Sequence, residues 1–257
     1  MFRQRSRLIA GVALSVMLMA GAGPAEGAER PAAVRALEAQ GLTVMQEFEV
    51  GGGLRAFAGV VGDRPIAVYV LQDGQAIVGT RLDADGEPLD EAALQNLVAR
   101  PLGDQAWAQL ESATWVLDGQ ADAPRVVYTF SDANCPYCHR FWEAARPWVA
   151  AGKVQLRHLL VGIIKEDSPA KAAAILGAPD RSAALRDNEA RFDQGGIAPA
   201  AGVPADIQAI LDQNQTLMLS MGFRGTPGIV VRDGNGALRK YNGMPRPGAL
   251  EEVLGPR

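Results

Sequence analysis

The sequence predicts an α+β protein in two parts, a small β-rich N-terminal half and an α/β C-terminal half joined by a helix. Three observations carry that reading. Gly-rich and Asp-Gly turns cut residues 42–82 into short alternating apolar runs. The spacing of apolar residues becomes helical from Glu91 to Gln120. Beyond Ala123, strand-like and helix-like segments alternate.

The N-terminus, "MFRQRSRLIAGVALSVMLMAGAGPAEGA", opens with Arg3, Arg5 and Arg7, runs apolar from Leu8 to Ala20 and then turns small and polar. This is the anatomy of a cleaved secretory signal over residues 1–28, with cleavage near 22–28. Ala20-Gly21-Ala22 offers a small-x-small site, and Ala25-Glu26-Gly27 a second. The apolar run is too short for the roughly 20 residues that span a bilayer, and no later stretch is long enough. Export to a bacterial periplasm is expected, with no membrane insertion of the mature chain. Losing the three arginines takes the formal charge from −4 to −7, which argues against nucleic acid and anionic membranes as partners. About 230 residues remain, enough for one large domain or two ordinary ones.

Residues 29–100 are expected to form the N-terminal domain. A short helix, "PAAVRALEAQ", precedes the strands "LTVMQEFEV", "RAFAGVV", "PIAVYVL" and "AIVGTRL". This half holds no His or Cys and reads as scaffold. Residues 101–120 are expected to be a linker helix. Ala92, Leu97, Trp107, Leu110 and Trp115 form its apolar stripe, broken once at Pro101 and ending near Gly119. Such a stripe implies packing against either domain or a second copy.

The catalytic half is expected over residues 121–257. "PRVVYTF" reads as a buried strand, "CPYCHRFWEAARPWVAAG" as a helix closed by Gly152, and "KVQLRHLLVG" as a second strand. A helical insertion at about 166–222 follows, then "TPGIVVRDGNGALRKYNG" as a hairpin turning at Asp233-Gly234-Asn235-Gly236. "RPGALEEVL" reads as a final helix.

The only two cysteines, Cys135 and Cys138, fall where a strand ends and a helix begins. Asn134 is positioned to cap that helix and Pro136 to occupy its first position. The Cys135 sulfur then meets unpaired N–H groups and the positive end of the helix dipole. Such settings lower a thiol pKa from about 8.5 into a range of roughly 3.5 to 7.5. Cys135 is expected to be largely thiolate at neutral pH. Cys138, one turn on and buried, can resolve a mixed disulfide formed at Cys135.

Other uses of the pair carry less. A structural staple closing so short a loop yields only about 2 kcal/mol. A zinc site from Cys135, Cys138, His139 and His158 matches no common spacing. No metal or cofactor is expected. His139 is a first-turn polar residue or a modulator of the thiolate, and His158, alternating with Val154, Leu156 and Leu160, reads as a satisfied core histidine.

Cys135-Pro136-Tyr137-Cys138, the following "FWEAARPWVAAGKVQLRHLLVGIIKEDSPAKAAAIL", the "WVLDG" ahead of them and Thr226-Pro227 resemble the DsbC/DsbG family of periplasmic thiol:disulfide interchange proteins. The likeness covers nearly the whole mature chain and is strongest from Trp115 to Leu176. It implies a thioredoxin-like C-terminal domain, with Cys135 as attacking thiol and Cys138 as resolving thiol. Thr226 with cis Pro227, and Tyr137, are implied to contact substrate, an extended peptide pairing with the Thr226 backbone. His139 stands where the DsbG pattern has a basic residue, and is closer to the DsbC pattern. The resemblance also implies a V-shaped homodimer joined by the N-terminal domains and kept reduced by a DsbD-type membrane reductase. Its clients would be proteins with oxidised cysteines, either disulfides or sulfenic acids. A DsbC-like isomerase, a DsbA-like dithiol oxidase and a non-redox chaperone remain alternatives, and residues 29–100 count against the oxidase.

Overall fold

The computed structural model describes residues 29–257, so the expected signal peptide at 1–28 lies outside the described residues. Helix α1 (Ala32–Glu38) precedes strands β1 (Leu42–Glu49), β2 (Arg55–Val61), β3 (Arg64–Val70) and β4 (Ala76–Val78). They form one antiparallel sheet in that order. Gly62 turns β2 into β3 at φ +64°, a conformation that glycine adopts without penalty. Both faces are covered, which explains why β2 is buried almost continuously. Val34 of α1 packs with Leu42, Phe57, Val68 and Val70 on one side, and Leu94 and Val98 cover Ala56, Ala58 and Val60 on the other. The fourth strand stops at Val78, short of the expected Leu82, which only bridges Pro88.

The connecting helix differs from the expected residues 101–120. It begins as α2 (Glu91–Leu94), widens into a π-helical turn at Gln95–Ala99 and continues as α3 (Arg100–Ser112). Pro101 does not break it, because the π turn shifts the hydrogen-bond register and leaves proline in the first turn of α3, where a missing N–H is tolerated. The helix ends at Ser112, well before Gly119. Val116–Asp118 is instead an edge strand, β5. Three residues are too few to show a strand period. The helix packs on both halves: Leu97 and Leu102 lie against the N-terminal sheet, while Trp107 and Leu110 lie against the C-terminal one.

The C-terminal half is a five-stranded sheet ordered β5-β7-β6-β8-β9. Strands β6 (Arg125–Ser131) and β7 (Val154–Leu160) are parallel, joined by helix α4 (Pro136–Ala150), the crossover that a parallel pair requires. Strands β8 (Gly228–Arg232) and β9 (Leu238–Asn242) complete it as an antiparallel hairpin on the other side of β6. Phe141, Ala145, Trp148 and Val149 of α4 cover one face with α8 (Leu250–Leu254), packing on Val127, Leu156, Ile229 and Val231. Fully burying side chains of this size contributes roughly 1.5–3 kcal/mol each. The opposite face, through Tyr128, Phe130 and Val230, receives α3 together with Met218, Met221 and Phe223. Between β7 and β8 lie α5 (Ser168–Leu176), α6 (Arg181–Ala190) and α7 (Ala205–Ser220), with their own core at Ile175, Leu176, Leu185, Ile207 and Leu211.

Candidate active site

Strand β6 delivers the chain to Asp132, and a three-residue turn follows before α4 begins. The turn is held at every residue. The buried Asp132 carboxylate accepts from the Asn134 amide (2.8 Å), the Ser168 hydroxyl (2.8 Å), and the amides of Ile163 (2.7 Å) and Ile164 (3.0 Å). The Ala133 carbonyl accepts from the fully buried Asn188 of α6 at 3.2 Å. Asn134 does not cap the helix as its type suggests. Its side chain turns to the insertion instead, donating to Asp167 and Ser168 at 2.9 Å each.

The cap is Cys135. Its backbone is extended (φ −82°, ψ 113°) and its sulfur accepts from the Cys138 amide at 3.2 Å, the place that an N-cap oxygen normally takes. Pro136 follows at the first helical position. Both cysteines are free thiols and both are buried. The Cys138 side chain hydrogen-bonds Cys135 and lowers its pKa to about 7 against the pull of burial, and the amides of Cys138 and Tyr137 act in the same direction. Cys135 is therefore more acidic than an ordinary thiol. Burial, and then the neighbouring Cys135, push the Cys138 thiol well above its ordinary value. The two sulfurs are thus set apart, one acidic and one held protonated.

Thr226 and Pro227 arrive on the loop before β8. The Thr226–Pro227 bond is cis, and the Cys135 thiol lies 3.4 Å from the Thr226 carbonyl oxygen. Gly228 next to it has no room for a side chain, since a Cβ would fall 2.7 Å from the Phe223 ring. That packing keeps the loop close to the sheet. Tyr137 is 53% exposed, with the Arg140 guanidinium 5.4 Å from its ring centre.

The two histidines face away from thiol chemistry. His139 bonds Glu189 through Nδ1 at 2.9 Å, lies 3.6 Å from Glu143 through Nε2, and stacks on Phe192 at 4.4 Å. Neither of its ring nitrogens bonds a sulfur. Burial raises the pKa of Glu189 despite that partner. His158 is a core residue on β7, bonded to Ser131 at 3.1 Å, while its Nε2 makes no hydrogen bond and lies 3.9 Å from the Asp118 carboxylate. Among the described residues, no group of His, Cys, Asp and Glu could hold a metal ion. Sequence reasoning missed Asp132, Ser168, Lys171 and Asn188. The one local signal was a run of small polar residues, Ser131-Asp132-Ala133-Asn134, just ahead of the cysteines.

Comparison with known proteins places this geometry. Residues 118–255 match the thioredoxin-like domain family. The chain is 43% identical over 255 residues to the thiol:disulfide interchange protein DsbG of Pseudomonas aeruginosa, covering 98% of both chains. It is 38% identical over 228 residues to that of Escherichia coli, covering 88% of this chain and 92% of the relative. Among solved structures, the catalytic domain of Proteus mirabilis ScsC superposes with a TM-score of 0.50 at 21% identity, over 60% of this chain and 96% of that one, a likeness of fold. The C-terminal half is accordingly a thioredoxin-like domain, and the chain belongs to the DsbG family of thiol:disulfide interchange proteins.

Proposed function

We propose that this protein is a periplasmic dithiol reductant and isomerase whose attacking sulfur is Cys135 and whose resolving sulfur is Cys138. One observation carries the reading: the Cys135 sulfur accepts the Cys138 amide at the helix start while the Cys138 thiol is buried beside it and held protonated. The Cys135 thiolate attacks one sulfur of a client disulfide, forming a mixed disulfide and expelling the other client sulfur as a thiolate. Cys138 then loses its proton and attacks Cys135, releasing the client thiolate and leaving a Cys135–Cys138 disulfide. With a client sulfenic acid, the same attack forms the mixed disulfide and releases the oxygen as water, taking up a proton. Either way the client gains two electrons and the dithiol loses them, and a DsbD-type membrane reductase returns them.

Thr226, Pro227 and Tyr137 are read as the client-contacting surface, because the Thr226 carbonyl lies beside the sulfur and the Tyr137 ring is exposed. The N-terminal sheet is read as the dimer contact. Strands β1 and β4 are its two open edges, and Ile77 and Val78 on β4 are exposed. The boundaries proposed are a signal at 1–28, a dimerisation domain from residue 29, the helix from Glu91 to Ser112 as linker, and the catalytic domain beyond it.

Insulin reduction and repair of a sulfenylated client, run with wild type and Cys135→Ser, test the assignment. Loss of both activities is expected, and redox activity retained in Cys135→Ser would overturn it. Holdase activity that survives the substitution would mark a separate chaperone function.

A further inference from the structure

A lysine on the insertion reaches the turn that presents Cys135. Lys171 of α5 is only 6% exposed, and its neighbours along the helix, Ala172, Ala173, Ile175 and Leu176, are buried and apolar. An ammonium group is costly in such surroundings, and an apolar residue would pack there more easily. Lys171 is nonetheless fully engaged. Its Nζ donates to the Asn134 side-chain oxygen at 2.7 Å and to the Gly195 carbonyl at 2.7 Å, and lies 3.4 Å from the Asp167 carboxylate. An ammonium has three donors, and three acceptors surround it.

The Asn134 side chain is saturated in turn, with Lys171 on its oxygen and Asp167 and Ser168 on its nitrogen. Gly195, at φ +97°, turns its carbonyl to the same ammonium from the segment that follows α6. Lys171 therefore ties two separate stretches of chain, α5 and the segment after α6, to the residue next to Cys135. We propose that Lys171 is a positioning residue for thiol-disulfide interchange, a buried cation that holds Asn134 and through it the turn setting the Cys135 sulfur against its helix. The geometry it protects is the 3.2 Å contact from the Cys138 amide to the Cys135 sulfur. Such bonds weaken steeply with misalignment, so a small displacement of the turn reaches the reactivity of the thiol.

The inference rests on Cys135 as the attacking sulfur, and the experiment separates the two. The parent is the reduced protein with both cysteines; Cys138 is buried and held protonated, so the alkylation rate up to the ordinary thiol range reports the ionisation of Cys135. If that parent shows an ordinary thiol midpoint, the assignment of Cys135 fails before Lys171 is considered. If the parent midpoint is depressed, Lys171→Met is expected to raise it by about one pH unit. It should also slow attack on a small disulfide at neutral pH about tenfold, the loss expected from one buried charged hydrogen bond. Lys171→Gln, whose amide can donate to both carbonyl oxygens, is expected to recover most of that loss. A Lys171→Met protein with the parental profile overturns the proposal, however far its denaturation midpoint falls. Should Lys171→Met not fold, Asn134→Ala takes its place, with the same shift expected and an unshifted profile overturning the proposal.

Discussion

The amide of Cys138 donates to the sulfur of Cys135 at 3.2 Å, so the residue proposed to resolve is also the cap partner of the one proposed to attack. This single bond joins the electrostatics of the helix start to the redox pair. It also makes the acidity of Cys135 depend on how α4 begins, since Cys135 is the N-cap and Pro136 the first helical residue. The ionisation of the thiol therefore depends on the local backbone as well as on the Cys138 side chain.

Alkylation of Cys135 should follow a titration with its midpoint near pH 7, well below that of an ordinary thiol. The native pKa is depressed, so ionisation stabilises the reduced protein. That contribution is fully present above the ordinary thiol range, declines as pH falls and is gone below about pH 7. Denaturant unfolding of the reduced protein should show stability rising with pH from about pH 7 to the ordinary thiol value, above which the raised Cys138 opposes it. A midpoint at the ordinary thiol value would remove the electrostatic argument.

Cys138→Ala should accumulate a mixed disulfide with clients, because the group that resolves it is gone. Non-reducing electrophoresis would show an adduct that disappears with added dithiol and is absent in Cys135→Ser. An adduct that forms equally through Cys138 would reverse the two roles.

Asp132→Ala should cost about 3 kcal/mol or more, measured by chemical denaturation. The substitution leaves the half-buried amides of Ile163 and Ile164 and the buried Ser168 hydroxyl without their acceptor. Hydrogen exchange at Ile163 and Ile164 should accelerate selectively. Exchange unchanged at these two amides would show that the carboxylate is not their effective partner.

Arg146→Met should destabilise by about 3–5 kcal/mol, since Arg146 of α4 pairs with Asp118, which is 1% exposed on β5. Burial opposes ionisation of Asp118, but His158 and Arg146 outweigh it and hold the carboxyl below the usual range. Its contribution is therefore present above about pH 4 and is lost as the solution becomes more acidic. The gap between wild type and variant, read from denaturation midpoints, should narrow below about pH 4. A gap that is constant with pH would mean that the pair contributes by packing alone.

Much of this architecture can be read along the chain. The Gly-Asp and Asp-Gly turns predict the N-terminal hairpins, and the apolar stripe of Phe141, Ala145, Trp148 and Val149 predicts the buried face of α4. The position of Cys135-Pro136 at a strand end predicts a sulfur at a helix start. These features are legible because turn preference, burial periodicity and capping act over a few neighbouring residues.

Other features depend on residues far apart in sequence. Val116–Asp118 becomes a strand because β7 offers it an open edge, and Pro101 sits inside a helix because a π turn precedes it. Asn134, a good cap by type, gives that place to a cysteine because Lys171, Asp167 and Ser168 claim its side chain from more than thirty positions away. His139 turns to Glu189, on the insertion, for the same reason. A short-range pattern states which backbone shape a segment favours, while a buried polar group takes whichever partner the packed chain brings within hydrogen-bond reach.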